Sequence, residues 1–272
     1  MRVSVKLIMA SIAIASMTSC SKEPSYLQEH SKSNSLGNSL DEEKKDRVIV
    51  ISASGDINDA LNEFRALLGP LNTVPGATGG RREINWDGVP ATFTNNNLFP
   101  GDFFGSFAPA DPNGRKRGLI NTTPGDGFRI SDNNFSDVNP AYAGTFLTFS
   151  PAKTFIANNS VITDNLFKVP GTNVDASVQG FGVVFSDVNN AASTSLEFFA
   201  GERSLGTFKV PNNGNNISGA FSFLGVYFPN EKVTRVRIYS GNAPLSATVE
   251  SASAVAGQDL VIMDDFIYSE PR

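Results

Sequence analysis

Histidine and cysteine are almost missing from this chain. Its one histidine, His30, sits in a polar N-terminal stretch. The folded part therefore has no imidazole for Ser-His-Asp or Cys-His catalysis, or for a histidine-based zinc or iron site. Its one cysteine, Cys20, has no partner in the chain, so the fold owes nothing to disulfides. Charge is sparse too, at 18% of residues, and 22 Lys and Arg against 27 Asp and Glu leave a net charge of −5. Without a cationic surplus the chain lacks the phosphate contacts on which nucleic-acid affinity depends, and it has no basic patch for anionic lipid. The glycines between 76 and 80 lack the Lys-Ser/Thr of a nucleotide cradle. An enzyme would have to rely on paired carboxylates, as in glycosidases, or on Tyr, Lys and Arg, as in polysaccharide lyases. Each Asp and Glu, however, sits where a turn or a salt bridge also accounts for it.

What is present begins at the N-terminus. Arg2 and Lys6 precede an apolar run over 7–15, then come Ser16-Met17-Thr18-Ser19 and Cys20. A cationic start, a short apolar core and small residues at the end are the pattern of a secretory signal, here 1–19. The apolar core is too short for a permanent membrane span. The pattern resembles a bacterial lipoprotein signal, in which the cysteine after small residues is lipidated on sulfur and becomes the new N-terminus. Ser21-Lys22-Glu23 resembles the start of Bacteroidetes lipoproteins. The resemblance implies acylation of Cys20, a membrane held through a lipid anchor, and a place in the cell envelope. That place would be the outer membrane, on its periplasmic face or at the cell surface. The alternative is an ordinary signal peptide that leaves a free thiol. From 20 to 46 the chain is mostly Ser, Lys, Glu, Asn and Asp, closing on Asp41-Glu42-Glu43-Lys44-Lys45-Asp46. Such a segment cannot offset its chain entropy by burial and reads as a flexible tether, with at most a short helical patch over 41–45.

Residues 47–272 suit a single β domain with ample core. A strand-like run over 48–51 opens it. One helix is expected at about 57–68, with Asp56 as N-cap, a stripe of Ile57, Leu61, Phe64, Leu67 and Leu68, and Gly69-Pro70 as the stop. Residues 89–127 read as long loops with short strands. Candidate strands follow at 145–149, 160–167, 178–185, 195–200, 205–210, 220–228, 234–240 and 260–268, separated by turn clusters. Val183-Val184-Phe185 and Val261-Ile262-Met263 are apolar on both faces and read as central strands. The 21 phenylalanines outnumber the 5 tyrosines and the single tryptophan, which points to a thick core between sheets. The expected fold is mainly β, a jelly-roll-like antiparallel β-sandwich with one N-terminal α-helix.

Six motifs in order carry a further resemblance. They are Phe64-Arg65-Ala66-Leu67-Leu68-Gly69, the run from Gly80 to Gly88 (Gly-Arg-Arg-Glu-Ile-Asn-Trp-Asp-Gly), Phe149-Ser150-Pro151, the run from Gly180 to Val188, Phe223-Leu224-Gly225-Val226, and Met263-Asp264-Asp265-Phe266-Ile267-Tyr268. Together they resemble a family of exported bacterial proteins that is functionally uncharacterised. The later half is similar to galactose-binding-like jelly rolls, found in carbohydrate-binding modules and adhesins. That similarity bears on function only by analogy.

Two places could carry chemistry. Strict alternation over 260–268 puts Ile262, Asp264, Phe266 and Tyr268 on one face, and Val261, Met263, Asp265 and Ile267 on the other. A carboxylate among such neighbours must be paired, metal-bound or protonated. Asp264 and Asp265 are thus candidate ligands of a structural Ca²⁺. The competing reading is an ion pair with Arg81, Arg82, Arg235 or Arg237. Trp86 could stack on a pyranose, with Asn85, Asp87 and Arg82 supplying hydrogen bonds, or it could be a core residue followed by an Asp87-Gly88 turn. The Asn-rich loops at 95–97 and 212–216 suit hydroxyl recognition or ordinary turns. Three functions remain: a non-catalytic envelope module binding glycan or another surface partner, a polysaccharide-active enzyme, or a purely structural envelope protein.

Overall fold

The computed structural model describes residues 47–212, 220–249 and 257–272. The expected signal at 1–19, Cys20, the tether and Asn213 to Asn216 of the second Asn-rich loop lie outside the described residues. The described chain is mainly β, with antiparallel sheets and one α-helix. Its strands are β1 (Ile49–Ser54), β2 (Arg81–Ile84), β3 (Asn96–Phe99), β4 (Leu119–Thr122), β5 (Phe128–Ser131), β6 (Thr154–Ala157) and β7 (Ile162–Phe167). They continue with β8 (Gly180–Ser186), β9 (Ser195–Ala200), β10 (Arg203–Lys209), β11 (Phe221–Tyr227), β12 (Arg235–Tyr239) and β13 (Ile262–Ser269). The helix, α1, spans Asn58–Leu68.

The strands form two sheets. The larger runs β1-β11-β8-β13-β6-β5-β3, with β2 also pairing with β13; the smaller runs β10-β9-β12-β7-β4. Between them lies a core built from alternating side chains. The large sheet contributes Phe155, Phe181, Phe185, Met263 and Phe266, and the small sheet Leu196, Phe198, Val236 and Ile238. As the apolar runs required, β8 and β13 are central and buried on both faces. Their second face is covered in two patches. At one end α1 lays Leu61, Phe64 and Leu68 over Val184, Phe223 and Ile267. At the other, Phe135, Tyr142 and Phe146 pack on Ile156 and Ile262.

Helix α1 follows from its sequence. Its buried residues keep the expected spacing, and Gly69, with φ of 94°, ends it in a conformation few other residues adopt. Asp56 lies one residue further out than expected: Ile57 is the N-cap, while Asp56 Oδ1 accepts from the Asn58 N–H at 3.1 Å. The helix approaches closely because Gly182 and Gly225 are cross-strand neighbours beneath Phe64. A Cβ at Gly225 would sit 2.7–2.8 Å from the Phe64 ring.

Two expectations need correction. Residues 145–149 form no strand. Asn139 caps a 3₁₀ turn at Pro140–Gly144, and the N–H groups of Thr145 and Phe146 both return to the Tyr142 carbonyl, so the chain curls instead of extending. The strand of this region is β6, later in the chain. The second correction concerns β13, where strict alternation fails. Met263 pairs with Phe185 and Phe266 with Val183, so Asp264 and Asp265 together oppose Val184 in a β-bulge. The extra residue reverses the phase, placing Phe266 and Tyr268 in the inter-sheet core with Met263, and Ile267 under α1.

The floor beneath Phe64 gives a test. Gly225→Ala should destabilise the protein by about 1–3 kcal/mol through overpacking, measured by urea denaturation. Combining it with Phe64→Leu should cost less than the sum of the two single changes, because the smaller side chain makes room for the added methyl.

Candidate functional sites

The bulge gathers the most unusual chemistry in the fold. Asp264 is fully buried and Asp265 is 4% exposed. Asp264 accepts from the Phe149 N–H at 2.6 Å, and the Ser150 hydroxyl lies 2.9 Å from Asp264 Oδ1 and 2.8 Å from Asp265 Oδ1. A serine carries one hydroxyl proton, so it cannot donate to both carboxylates at once. A proton kept on one of the two acids would relieve the second contact. The electrostatics agree: burial, and next the Asp265 charge, push Asp264 up to about 9, and burial also raises Asp265.

The cation at this site comes from a residue the sequence reading did not nominate. Arg65, in the last turn of α1, lies 3.6 Å from Asp265 and makes a two-pronged contact with Glu83 at 2.8–2.9 Å. Burial raises Glu83, but hydrogen bonds from Arg65 and Arg81 outweigh it and hold this carboxyl below its usual range. The four nominated arginines are engaged elsewhere. Arg81 pairs with Glu83, and Arg82 with Glu270 in a fully buried bidentate bridge. Arg235 and Arg237 lie on the small sheet, where both reach Asp164 and Arg235 also covers the Phe199 ring at 3.8 Å. The usable sequence signal was Arg65 itself, a charged residue directly after Phe64 in the buried stripe.

The Ca²⁺ reading fits this arrangement poorly. The bulge offers two carboxylates and the Ser150 hydroxyl, with the Asn85 carbonyl 3.5 Å from that hydroxyl. Ca²⁺ takes six or more oxygens. Among the described residues no three Asp, Glu, His or Cys side chains gather into a metal-holding group.

Trp86 is not a sugar platform. Its indole is fully buried and stacks on Phe155 at 4.1 Å with 2° between the planes, while Phe99, Phe104 and Phe266 meet it edge-on. Its Nε1–H donates to the Asp264 carbonyl at 2.6 Å, which pins the bulge from the core side. A φ of 65° turns the chain so that the indole points inward. Arg82 is equally buried. Asp87 is tied to the Lys153 N–H at 3.1 Å and to the Asn85 amide at 2.9 Å. Of the four proposed ligand contacts, Asn85 alone is exposed, and it lines a cleft of about 230 Å³ with Arg115 and Arg117. Asn95 exchanges hydrogen bonds with Asp132, a turn-fixing role.

A larger cleft, about 460 Å³, opens beside the C-terminal end of α1. Half-buried Tyr227 and Gln179, exposed Asn230, Lys232 and Arg272, and Leu68 line it. Its two carboxylates are already engaged. Glu270 is held by Arg82 and by Asn72, and Glu231 by Arg203 at 2.7 Å. This volume falls within the range of small-ligand pockets. Sequence reasoning missed the cleft because it joins the end of α1, the ends of two strands and the C-terminal residues. In comparisons with known proteins the chain matches no family model, no curated protein and no solved structure.

The carboxyl pair predicts a pH dependence. With Asp264 held above its ordinary 3.8, the folded protein binds more protons than the unfolded chain from there to about pH 9. Its stabilising share is complete at acid pH and is lost as pH rises through about 9. Glu83, held low, acts in the opposite sense and only at the acid end. The melting temperature should therefore fall from pH 6 to pH 9 in the native protein. Asp264→Asn, which mimics the protonated acid, should flatten that slope. Chelator should leave both curves unchanged, and a drop restored by Ca²⁺ would show a bound cation instead.

Proposed function

We propose that this protein is a non-catalytic module of the cell envelope, anchored in the outer membrane by a lipid on Cys20, and that it binds a glycan in the cleft beside α1. The observation that carries the reading is the character of that cleft. A half-buried tyrosine stands next to amide side chains, while Glu231 and Glu270 are each bound to an arginine. An aromatic face with amides suits the C–H face and hydroxyls of a sugar. A glycosidase needs two carboxyl groups facing the substrate, one of them free to give a proton. The carboxyls of this cleft are committed to ion pairs, which favours binding over hydrolysis. The resemblance of the later half to galactose-binding-like jelly rolls points to the same ligand class, as analogy.

The anchor and the binding function are tested separately. Cys20→Ala should abolish acylation and shift the protein out of the membrane fraction, or block its processing; a lipidated mutant would refute the anchor. For binding, the purified full chain in detergent should retain a subset of glycans on an array, with or without Ca²⁺. Tyr227→Ala should weaken retention by about tenfold or more while leaving the melting temperature within a few degrees. A silent array would favour a structural envelope role, and release of shortened oligosaccharides would favour an enzyme.

A further inference from the structure

Strand β1 differs from the other sheet edges. Among the described residues it pairs with β11 alone, in unbroken register from Ile49 to Ser54. Exposed strand edges are templates for further pairing, and proteins usually blunt them with charge, proline, bulges or short length. The other three strands that end a sheet are blunted, and β2, which pairs with β13 alone, is four residues long and carries Arg81, Arg82 and Glu83. Strand β10 has a bulge between Ser204 and Gly206, and it begins with Arg203 and ends with Lys209. Strand β3 is four residues long with an irregular register, and β4 is also four residues long. By contrast β1 reads Ile-Val-Ile-Ser-Ala-Ser, six residues without charge, proline or bulge. Val48, just before it, and Val50, within it, are 41% and 48% exposed.

Backbone parity shows which groups are free. The Gly55 N–H donates to the Phe221 carbonyl, and Gly55 and Phe221 continue the register of the strand pair. Hydrogen-bonding direction alternates along a strand, so Ile49, Ile51 and Ala53 address β11. The N–H and C=O groups of Val50, Ser52 and Ser54 point to the open side.

We propose that this edge is a homodimer interface, in which β1 of two copies pairs antiparallel about a two-fold axis near Ser52 and joins the two large sheets into one. The occupant is a second copy because the strand is complementary to itself. Antiparallel pairing about Ser52 sets Val50 of one copy opposite Ser54 of the other, and no like charges meet. It also brings exposed Arg47, just before the strand, to the end where the exposed Asp56 of the other copy lies, and the two-fold repeats this pair. The same operation on β10 would set Arg203 against Lys209. A closed two-fold contact uses up both free edges and leaves none for further growth.

Two measurements on the purified full chain in detergent test this. Sedimentation velocity should show a concentration-dependent dimer. Ser52→Pro should weaken it by about tenfold or more, since each copy loses an N–H that serves only the open edge. The mutant should keep its monomer melting temperature. Ala53→Pro removes an N–H that addresses β11, so it should lower that temperature. Hydrogen exchange gives the second readout. The amides of Val50, Ser52 and Ser54 should be protected at high concentration and exchange freely on dilution, whereas Ile51 and Ala53 stay protected throughout. A chain that remains monomeric at all concentrations would overturn the proposal. So would a dimer that forms without protecting those three amides.

Discussion

The fold turns on a pair of carboxyl groups set into a strand that is buried on both faces. Strand β13 runs through the middle of the large sheet, between the inter-sheet core and the layer of α1. Two charges there would each face a desolvation cost of several kcal/mol. The structure avoids that cost by three means. The Phe149 N–H and the Ser150 hydroxyl bind the carboxyl oxygens, Arg65 stands beside Asp265, and burial favours a proton kept between the two acids. The first two means come from different segments. The carboxyl pair therefore fastens the loop around Phe149 and the end of α1 to the central strand. From the core side the Trp86 indole adds its bond to the Asp264 carbonyl.

The same bulge governs how the two layers meet. Without the extra residue, Phe266 and Tyr268 would face α1 and Ile267 would enter the inter-sheet core, so the core would lose two rings and the helix would have to ride over them. Instead Phe266 touches Trp86, Phe155 and Phe181 within ring–ring distance, and Ile267 fits under the helix. Proteins use bulges to re-aim side chains, and here the re-aimed residues are the centre of the aromatic core. Two constraints, a polar pair that needs partners and a core that needs rings, are met by one irregularity.

The sequence made some of this legible. The helix was readable because its stripe repeats over three turns, and β8 and β13 because their apolar residues fill both alternations. Strands of four residues, such as β4 and β6, are too short for periodicity to separate them from loops. A bulge cannot be read from alternation, since it is the place where alternation stops; the paired Asp264 and Asp265 marked the spot without giving the phase. For Trp86 the sequence left a core residue and a surface platform both open, because its burial depends on a positive φ and on partners far away in the chain. The cation beside Asp265 was missed for a similar reason: Arg65 and Asp265 are brought together only by the docking of α1 on the sheet.

Where the polar groups lie separates structure from function in this molecule. Two of the buried sets are tied to fixed partners: Arg82 makes a bidentate bridge to Glu270, although its Nη1 has no hydrogen-bond partner, and Asp264 and Asp265 are held by Phe149, Ser150 and Arg65. A group so committed can fix a fold but cannot exchange partners with a substrate, because release would strand a charge in low dielectric. In the end cleft Arg272, though exposed, already donates to the Thr78 carbonyl and to Gln179, while Lys232 is exposed and can trade water for a ligand at little cost. The same holds for the outward backbone groups of β1, which meet water in a single copy and can meet a second strand without desolvating any charged side chain of the strand. On the two proposals above, recognition belongs to the periphery, at the end of α1 and along β1. The motifs most conspicuous in the sequence are the ones that hold the centre together.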